Sequence, residues 1–293
     1  MRNPGKLLVL GAHGQLGGDL LDAAAAAGVP AQGAGRAEVD VTDRAALRAF
    51  LDGAAFDVLV NATSYHKTDE VEGNPALAMD VNAHAPAVMA EACAERGARF
   101  LHVSTDYVFG GDRDRKTPLL ETDSPAPVNV YGLSKLFGET LSGLPGGDVT
   151  VFRVASLFGV RGASGKGGNF VETMIRFGRE KGALKVVNDQ VMSPTATAFI
   201  ARAILAFLDR EGAPGVYHCV NTGAVSWHGF AEAIVRLAGV PATVAGCSTA
   251  EWPTPARRPA WSALANGKLA AVVGPIPDWE TALADYLAAK GYR

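Results

Sequence analysis

The stretch "KLLVLGAHGQLGGDLLDAAAAAG", Lys6 to Gly28, sets an apolar run of β type directly before three glycines, Gly11, Gly14 and Gly17, which open an alanine-rich helical pattern. Strand, tight turn and helix in that order begin a βαβ unit. Glycines at this spacing let the backbone turn sharply and approach a pyrophosphate, whose charge is then met by the N–H groups of the helix N-terminus. Gly11, His13, Gly14, Gln15, Leu16 and Gly17 are therefore the first candidate contacts, and the ligand class they imply is a dinucleotide.

The pattern continues outward from this unit. Apolar runs "FDVLVNA", "RFLHVS" and "VTVFRVA" alternate with helical stretches "RAALRAFLDG", "NAHAPAVMAEACAERG" and "VYGLSKLFGETL". Strands separated by helices of this length predict a doubly wound, Rossmann-type parallel sheet of class α/β over residues 1–155, with 190–215 returning to it. Residues 156–189 and 216–293 are left for a smaller C-terminal α/β substrate domain. They hold a Gly-rich loop "GVRGASGKGG", a helix at "NFVETMIRFGREKG", a short strand "LKVV", and a less regular tail containing all four tryptophans. The helix "ATAFIARAILAFLDR" belongs to the returning segment.

Composition excludes several classes. A chain of 293 residues with 48% hydrophobic content and net charge −3 gives no electrostatic case for nucleic acid. Cys93, Cys219 and Cys247 stand far apart without a C-x-x-C pair, and the six histidines show no H-x-x-x-H pair, so neither disulfides nor a metal site is expected. The first apolar run is too short for a signal segment and no window approaches a membrane span, so a cytoplasmic protein without membrane contact is expected.

Chemistry concentrates in "STDYVFGG", Ser104 to Gly111, and "VYGLSK", Val130 to Lys135. Tyr131 and Lys135 are four apart on a predicted helix and share one face. A phenol is a poor acid at neutral pH, and an adjacent ammonium would stabilise its phenolate. Thr105, at a predicted strand end, would hydrogen-bond a carbonyl oxygen while Tyr131 delivers the proton, and Ser104 reads as strand-end packing. In "GAGRAEVDVTD", the expected end of the second strand itself carries no acid, and Arg36 is the first charged residue. A guanidinium there suits the 2′-phosphate of NADPH, with NADH as a second cofactor. Asp40 and Val41 follow, either flanking an adenine or forming a turn.

These residues carry a resemblance. The chain is similar to the extended short-chain dehydrogenase/reductases, and within them to the sugar-nucleotide 4-ketoreductases of the dTDP-4-dehydrorhamnose reductase group. The similarity runs nearly end to end through "GAHGQLG", "DVTD", "VNATSYHKTDEVEGNPALAMDVNAHAP", "STDYVFGG", "PVNVYGLSKLFGE", "GGNFVETMI", "DQVMSPT" and "RRPAWSALANGKL". It implies a triad of Thr105, Tyr131 and Lys135, the last two also touching the cofactor. It implies that Gly14, Gln15 and Leu16 meet the pyrophosphate, that Asp40 and Val41 flank the adenine, and that Ala62, Thr63, Ser64 and Tyr65 line the cofactor. Asn82 would brace the active-site end of its helix. Thr105, Asp106, Ser156, Asn169, Gln190 and Arg258 would face a nucleotide-sugar. A homodimer fits the group, some members of which bridge subunits through magnesium.

Two departures bear on the substrate. Ser156, in "RVASLFG", stands where the group carries a tryptophan, and Met192 stands where it carries a glycine. The related dehydratases place two acids after the catalytic threonine, whereas this chain has Asp106 followed by Tyr107, which argues against 4,6-dehydration. A nucleotide-sugar epimerase remains an alternative. So does a non-catalytic NADP-binding regulatory subunit resembling that of methionine adenosyltransferase.

Overall fold

The computed structural model describes residues 5–161 and 168–292. Residues 162–167 of the Gly-rich stretch lie outside the described residues. The chain runs β1 (Leu7–Leu10), α1 (Gln15–Ala26), β2 (Ala31–Ala34), α2 (Arg44–Gly53), β3 (Val58–Asn61), α3 (Thr68–Glu72), α4 (Pro75–Met79), a π-helical turn (Asp80–His84), α5 (Ala85–Arg96), β4 (Arg99–Thr105), α6 (Val130–Gly143) and β5 (Val149–Val154). It continues through β6 (Leu157–Phe158), α7 (Phe170–Lys181), β7 (Ala183–Val187), β8 (Val191–Met192), β9 (Thr195–Ala196), α8 (Thr197–Asp209) and β10 (Gly215–His218). Last come β11 (Val225–Ser226), α9 (Trp227–Leu237), β12 (Thr243–Cys247), α10 (Gly267–Val273) and α11 (Trp279–Ala289).

Six strands form a parallel sheet in the order β10-β5-β4-β3-β1-β2. Successive side chains on a strand point to opposite faces, and β1 and β3, at the centre of the sheet, are buried on both, so their runs are nearly all apolar. In β1, Leu7 and Val9 join the cluster packed by α1 and α8, whereas Leu8 and Leu10 join the one packed by α2 and α5. The order reverses at β1, which has β2 on one side and β3 on the other. Ligands of doubly wound sheets sit outside the carboxyl ends of the strands at such a switch point. The loops that open there are Gly11–Gly14 after β1 and Ala62–Lys67 after β3, with Thr105 closing the adjacent β4.

The tail is more regular than its sequence suggests. Two small pairings, β12 with β7 in parallel and β11 with β8 antiparallel, join it to the middle of the chain. Its helix α9 packs Phe230 beneath Trp227, Trp279 and Phe170. These elements are short, and their apolar residues are spread between partners distant in sequence, so no single window shows a clear period. Met192 is buried in the main core cluster.

Candidate active site

The glycine loop is built for close backbone approach. Gly11 has φ +83°, and a Cβ on Gly17 would stand 2.2 Å from the Gly11 carbonyl oxygen, so neither position takes a side chain without displacing the turn. Helix α1 begins behind Gly14, which has no side chain to offer as a cap. The N–H groups of its first turn have no intrahelical partner and carry the positive end of the helix dipole. This is the donor set that a pyrophosphate needs, and the cradle fits a dinucleotide on that ground. Gln15 lies at its rim with a buried Oε1 that has no hydrogen-bond partner in the structure.

Arg36, two residues past β2, is exposed. The reading that this strand end lacks an acid is corrected by Glu38. Residues 35–39 form a tight turn, with the Glu38 and Val39 N–H groups donating to Gly35 O. The turn brings Glu38 Oε2 back to accept from the Gly35 N–H at 2.7 Å. The exposed His13 ring places Nε2 3.9 Å from the same oxygen. Asp40 takes the turn role, accepting from the Thr42 N–H at 3.0 Å and the Thr42 hydroxyl at 2.8 Å, and these bonds hold its carboxyl below the usual range. Val41 packs partly buried against the α2–α5 core.

Asn82 sits on the π-helical turn, a distortion often found at functional sites, and is wholly buried. Its Oδ1 accepts from the Tyr65 N–H at 2.9 Å, while its Nδ2 donates to Tyr65 O at 3.1 Å and to the Ser134 hydroxyl at 3.0 Å. It thus ties the Ala62–Tyr65 loop to α6. A Cβ at Gly138 would lie 2.1 Å from Asn82 O, which shows how closely α6 is drawn in.

On α6, the Tyr131 hydroxyl lies close enough to the hydroxyls of Ser64, from the β3 loop, and Thr105, at the end of β4, for both to lower its pKa, while burial and the charge of Asp106 raise it. The Lys135 side chain is buried, and its Nζ donates to Val103 O at 2.6 Å and lies 3.5 Å from His102 Nε2. Burial pulls the Lys135 pKa down to about 7, opposed by the charge of Glu139.

Thr105 is surrounded by hydrogen bonds. Its Oγ1 accepts from the Tyr107 N–H at 3.2 Å and donates to Asp106 Oδ1 at 3.1 Å. Asp106 is buried, and its Oδ2 accepts from the Ser262 hydroxyl at 2.5 Å. Burial pushes its pKa up to about 6 against the pull of these bonds. Ser104 turns the other way, donating to Glu139 Oε1 at 2.5 Å, and Glu139 pairs bidentately with Arg153. That buried ion pair anchors the base of α6 to β5.

The remaining candidates are placed less directly. Arg258 donates to Asp69 Oδ2 at 2.9 Å and stands close enough to Tyr107 to lower its pKa, which burial raises. Asn169 caps α7 through its Oδ1, and its Nδ2 donates to Gly159 O and the Tyr286 hydroxyl. Gln190 donates to the Thr249 hydroxyl at 2.9 Å. Both amides make these bonds within the protein. Ser156 follows β5 in a left-handed conformation, φ 45°. Sequence reasoning missed Glu38, His102, Asn61 and Ser262. Ser262 lies in the quoted "RRPAWSALANGKL", but only the fold brings it to Asp106. Among the described residues, no group of three or more His, Cys, Asp or Glu side chains converges as a metal site, and no helix is long and apolar enough to cross a membrane.

The family model described as RmlD substrate binding domain matches residues 5–291. The chain belongs to this family. It is 40% identical to a dTDP-4-dehydrorhamnose reductase of Burkholderia thailandensis over 95% of this chain and 96% of that protein. Two solved structures of RmlD-type reductases share its fold. A dTDP-4-dehydrorhamnose reductase from Clostridium acetobutylicum is 34% identical with TM-score 0.91, covering 98% of this chain and 99% of that one. Another from Bacillus anthracis, in complex with NADP, is 31% identical with TM-score 0.90, covering 97% and 99%. The RmlD-type fold thus extends over both the parallel sheet and the C-terminal elements.

Proposed function

We propose that this chain uses NADPH, with NADH as a second cofactor, to reduce the 4-keto group of a nucleotide-diphosphate sugar, with dTDP-4-dehydrorhamnose as the substrate. The observation that carries the reading is the nearness of the Ser64 and Thr105 hydroxyls to the Tyr131 phenol, with Thr105 closing β4 and Ser64 in the loop after β3, on a sheet whose first helix α1 starts without a side-chain cap. The activity of the relatives and the NADP held by one of them support it.

The dinucleotide supplies the hydride when bound. Gly11, Gly14, Gln15, Leu16 and Gly17 would hold its pyrophosphate, and Ala62–Tyr65 its nicotinamide half. Thr105 and Ser64 orient the Tyr131 hydroxyl toward the substrate's carbonyl oxygen, and Tyr131 supplies the proton as that oxygen gains charge. Lys135 sits one helical turn beyond and would orient the nicotinamide ribose of the bound dinucleotide. The nucleotide-sugar lies between the sheet's carboxyl edge and the smaller C-terminal domain, near Asp106, Ser156 and Arg258.

The test is steady-state reduction of dTDP-4-dehydrorhamnose followed by NADPH absorbance, with Tyr131→Phe alongside. The variant loses the proton donor and keeps the glycine loop, so turnover falls by at least about a hundredfold with cofactor affinity little changed. Near-normal turnover in the variant removes Tyr131 from the mechanism. Absence of turnover in the unaltered protein with this and other nucleotide 4-ketosugars overturns the reductase reading.

A further inference from the structure

The acidic stretch "TDEVE", Thr68 to Glu72, takes no part in the mechanism above. It forms α3, a helix of 5 residues held in place by the buried Val71. Residues three apart on a helix share a face, which sets Asp69 and Glu72 side by side. Glu70, between them, is exposed and pairs with Lys67.

Glu72 Oε2 accepts from the Val130 N–H at 3.0 Å. Val130 is the first residue of α6, and an N–H in that place has no partner within its own helix. Asp69 accepts from the Ala256 N–H at 3.2 Å and from Arg258 Nη2 at 2.9 Å. Asn129, the α6 cap, closes the third side by donating from Nδ2 to the Arg257 carbonyl at 2.8 Å. Three segments distant in sequence thus form a frame around the start of α6.

Tyr131 follows Val130 directly. Its carbonyl accepts from the Ser134 hydroxyl at 2.8 Å, and its ring stands edge-on to that of Tyr107 with centroids 5.9 Å apart. A Cβ on Gly132 would run into Tyr107 O, so the first turn of α6 rests on the segment that follows Thr105. The charge that shifts the Tyr131 phenol is that of Asp106, and Glu72 meets α6 through the backbone.

We propose that Glu72 is a positioning residue, whose carboxylate oxygen fixes the Val130 peptide and with it the place of the Tyr131 phenol beside Thr105 and Ser64. The inference rests on the role given to Tyr131 under the proposed function. Displacing a reacting group by about 1 Å costs on the order of a hundredfold in rate, and a first turn without its outer bond forfeits part of that.

Two substitutions separate reach from charge. Glu72→Asp keeps the charge and withdraws the oxygen by one methylene, whereas Glu72→Gln keeps the reach and an accepting oxygen without the charge. In steady-state reduction of dTDP-4-dehydrorhamnose, Glu72→Asp should lower kcat by about tenfold with KM for NADPH little changed. Glu72→Gln should stay within about threefold of wild type, since a neutral hydrogen bond replaces a charge-assisted one. Hydrogen exchange at the Val130 amide, followed by NMR, should be faster in Glu72→Asp and close to wild type in Glu72→Gln. Glu70→Gln, at the exposed acid of the same helix, should change neither readout. Wild-type kcat in Glu72→Asp, or Val130 exchange that does not move in it, overturns the proposal. So does a Glu72→Gln variant impaired as much as Glu72→Asp, because charge rather than reach would then be responsible. Failure of the reductase reading is distinguishable, because it shows as retained turnover in Tyr131→Phe while exchange at Val130 still follows the length of the side chain at position 72.

Discussion

Arg36 and Glu38 stand two residues apart on the turn after β2 with opposite charges, in the region where a cofactor's adenosine ribose is expected. The guanidinium favours a 2′-phosphate, and the carboxylate, held on the Gly35 N–H, disfavours one. Arg36→Ala should narrow the NADPH-over-NADH preference by about threefold, and Glu38→Gln, which keeps an acceptor for Gly35 but removes the charge, should widen it by a similar factor, the scale of a solvent-exposed charge contact. The ratio of kcat/KM for the two cofactors checks both, and movement of either in the opposite direction refutes the assignment. Arg36 was legible because it is the first charge after an apolar stretch. Glu38 was not, because its role depends on a turn that folds it back onto Gly35. The same holds for Asn61 and His102, which read as strand residues until β3 and β4 are laid side by side and their side chains meet.

Helix α6 is the element most fully written in the sequence. Its N-cap Asn129, whose side chain accepts from the Gly132 N–H, and the four-residue spacing of Tyr131 and Lys135 are local features. The link from β5 to β6 was not legible, since nothing near Ser156 marks it as left-handed. An L-residue at φ 45° places its Cβ close to the following carbonyl, at a cost that glycine avoids. Ser156→Gly should therefore raise stability by about 1 kcal/mol, or roughly 2 °C in Tm for a chain of this size. An unchanged or lower Tm in a thermal melt shows that the conformation carries no strain. The same backbone bears on substrate contact. A tryptophan at this position, as the family resemblance expects, would project from a left-handed residue, so its direction cannot be inferred from an ordinary strand end.

At the scale of the whole molecule, the continuous apolar runs of β1, β3, β4 and β5, separated by helices, predicted the parallel sheet because both faces of these strands are covered, and that is a property of each strand by itself. The ties between the C-terminal residues and α3, the α6 cap and the segment after β4 are a property of the folded chain. Arg258 reaches Asp69, the Arg257 carbonyl accepts from Asn129, and Ser262 donates to Asp106 across 156 residues of sequence. The last of these ties allows a test with a sign. Burial raises the Asp106 pKa to about 6, above its unfolded value near 4. Its protonated form is thus the one the fold prefers, and the stability this contributes is fully present below about pH 4 and lost as pH rises through 6. The Ser262 hydroxyl opposes the loss by donating to the carboxylate. In Ser262→Ala that donor is gone and the folded pKa climbs further. Near pH 5, where Asp106 is mostly protonated, the variant should be only slightly less stable than wild type. Above pH 6 a buried carboxylate oxygen is left without its partner, and the deficit should grow to about 1–3 kcal/mol by pH 8. Urea unfolding of both proteins at the two pH values measures it. A deficit equal at pH 5 and pH 8 would mean that Ser262 contributes packing alone and that the carboxylate does not couple the C-terminal segment to Thr105.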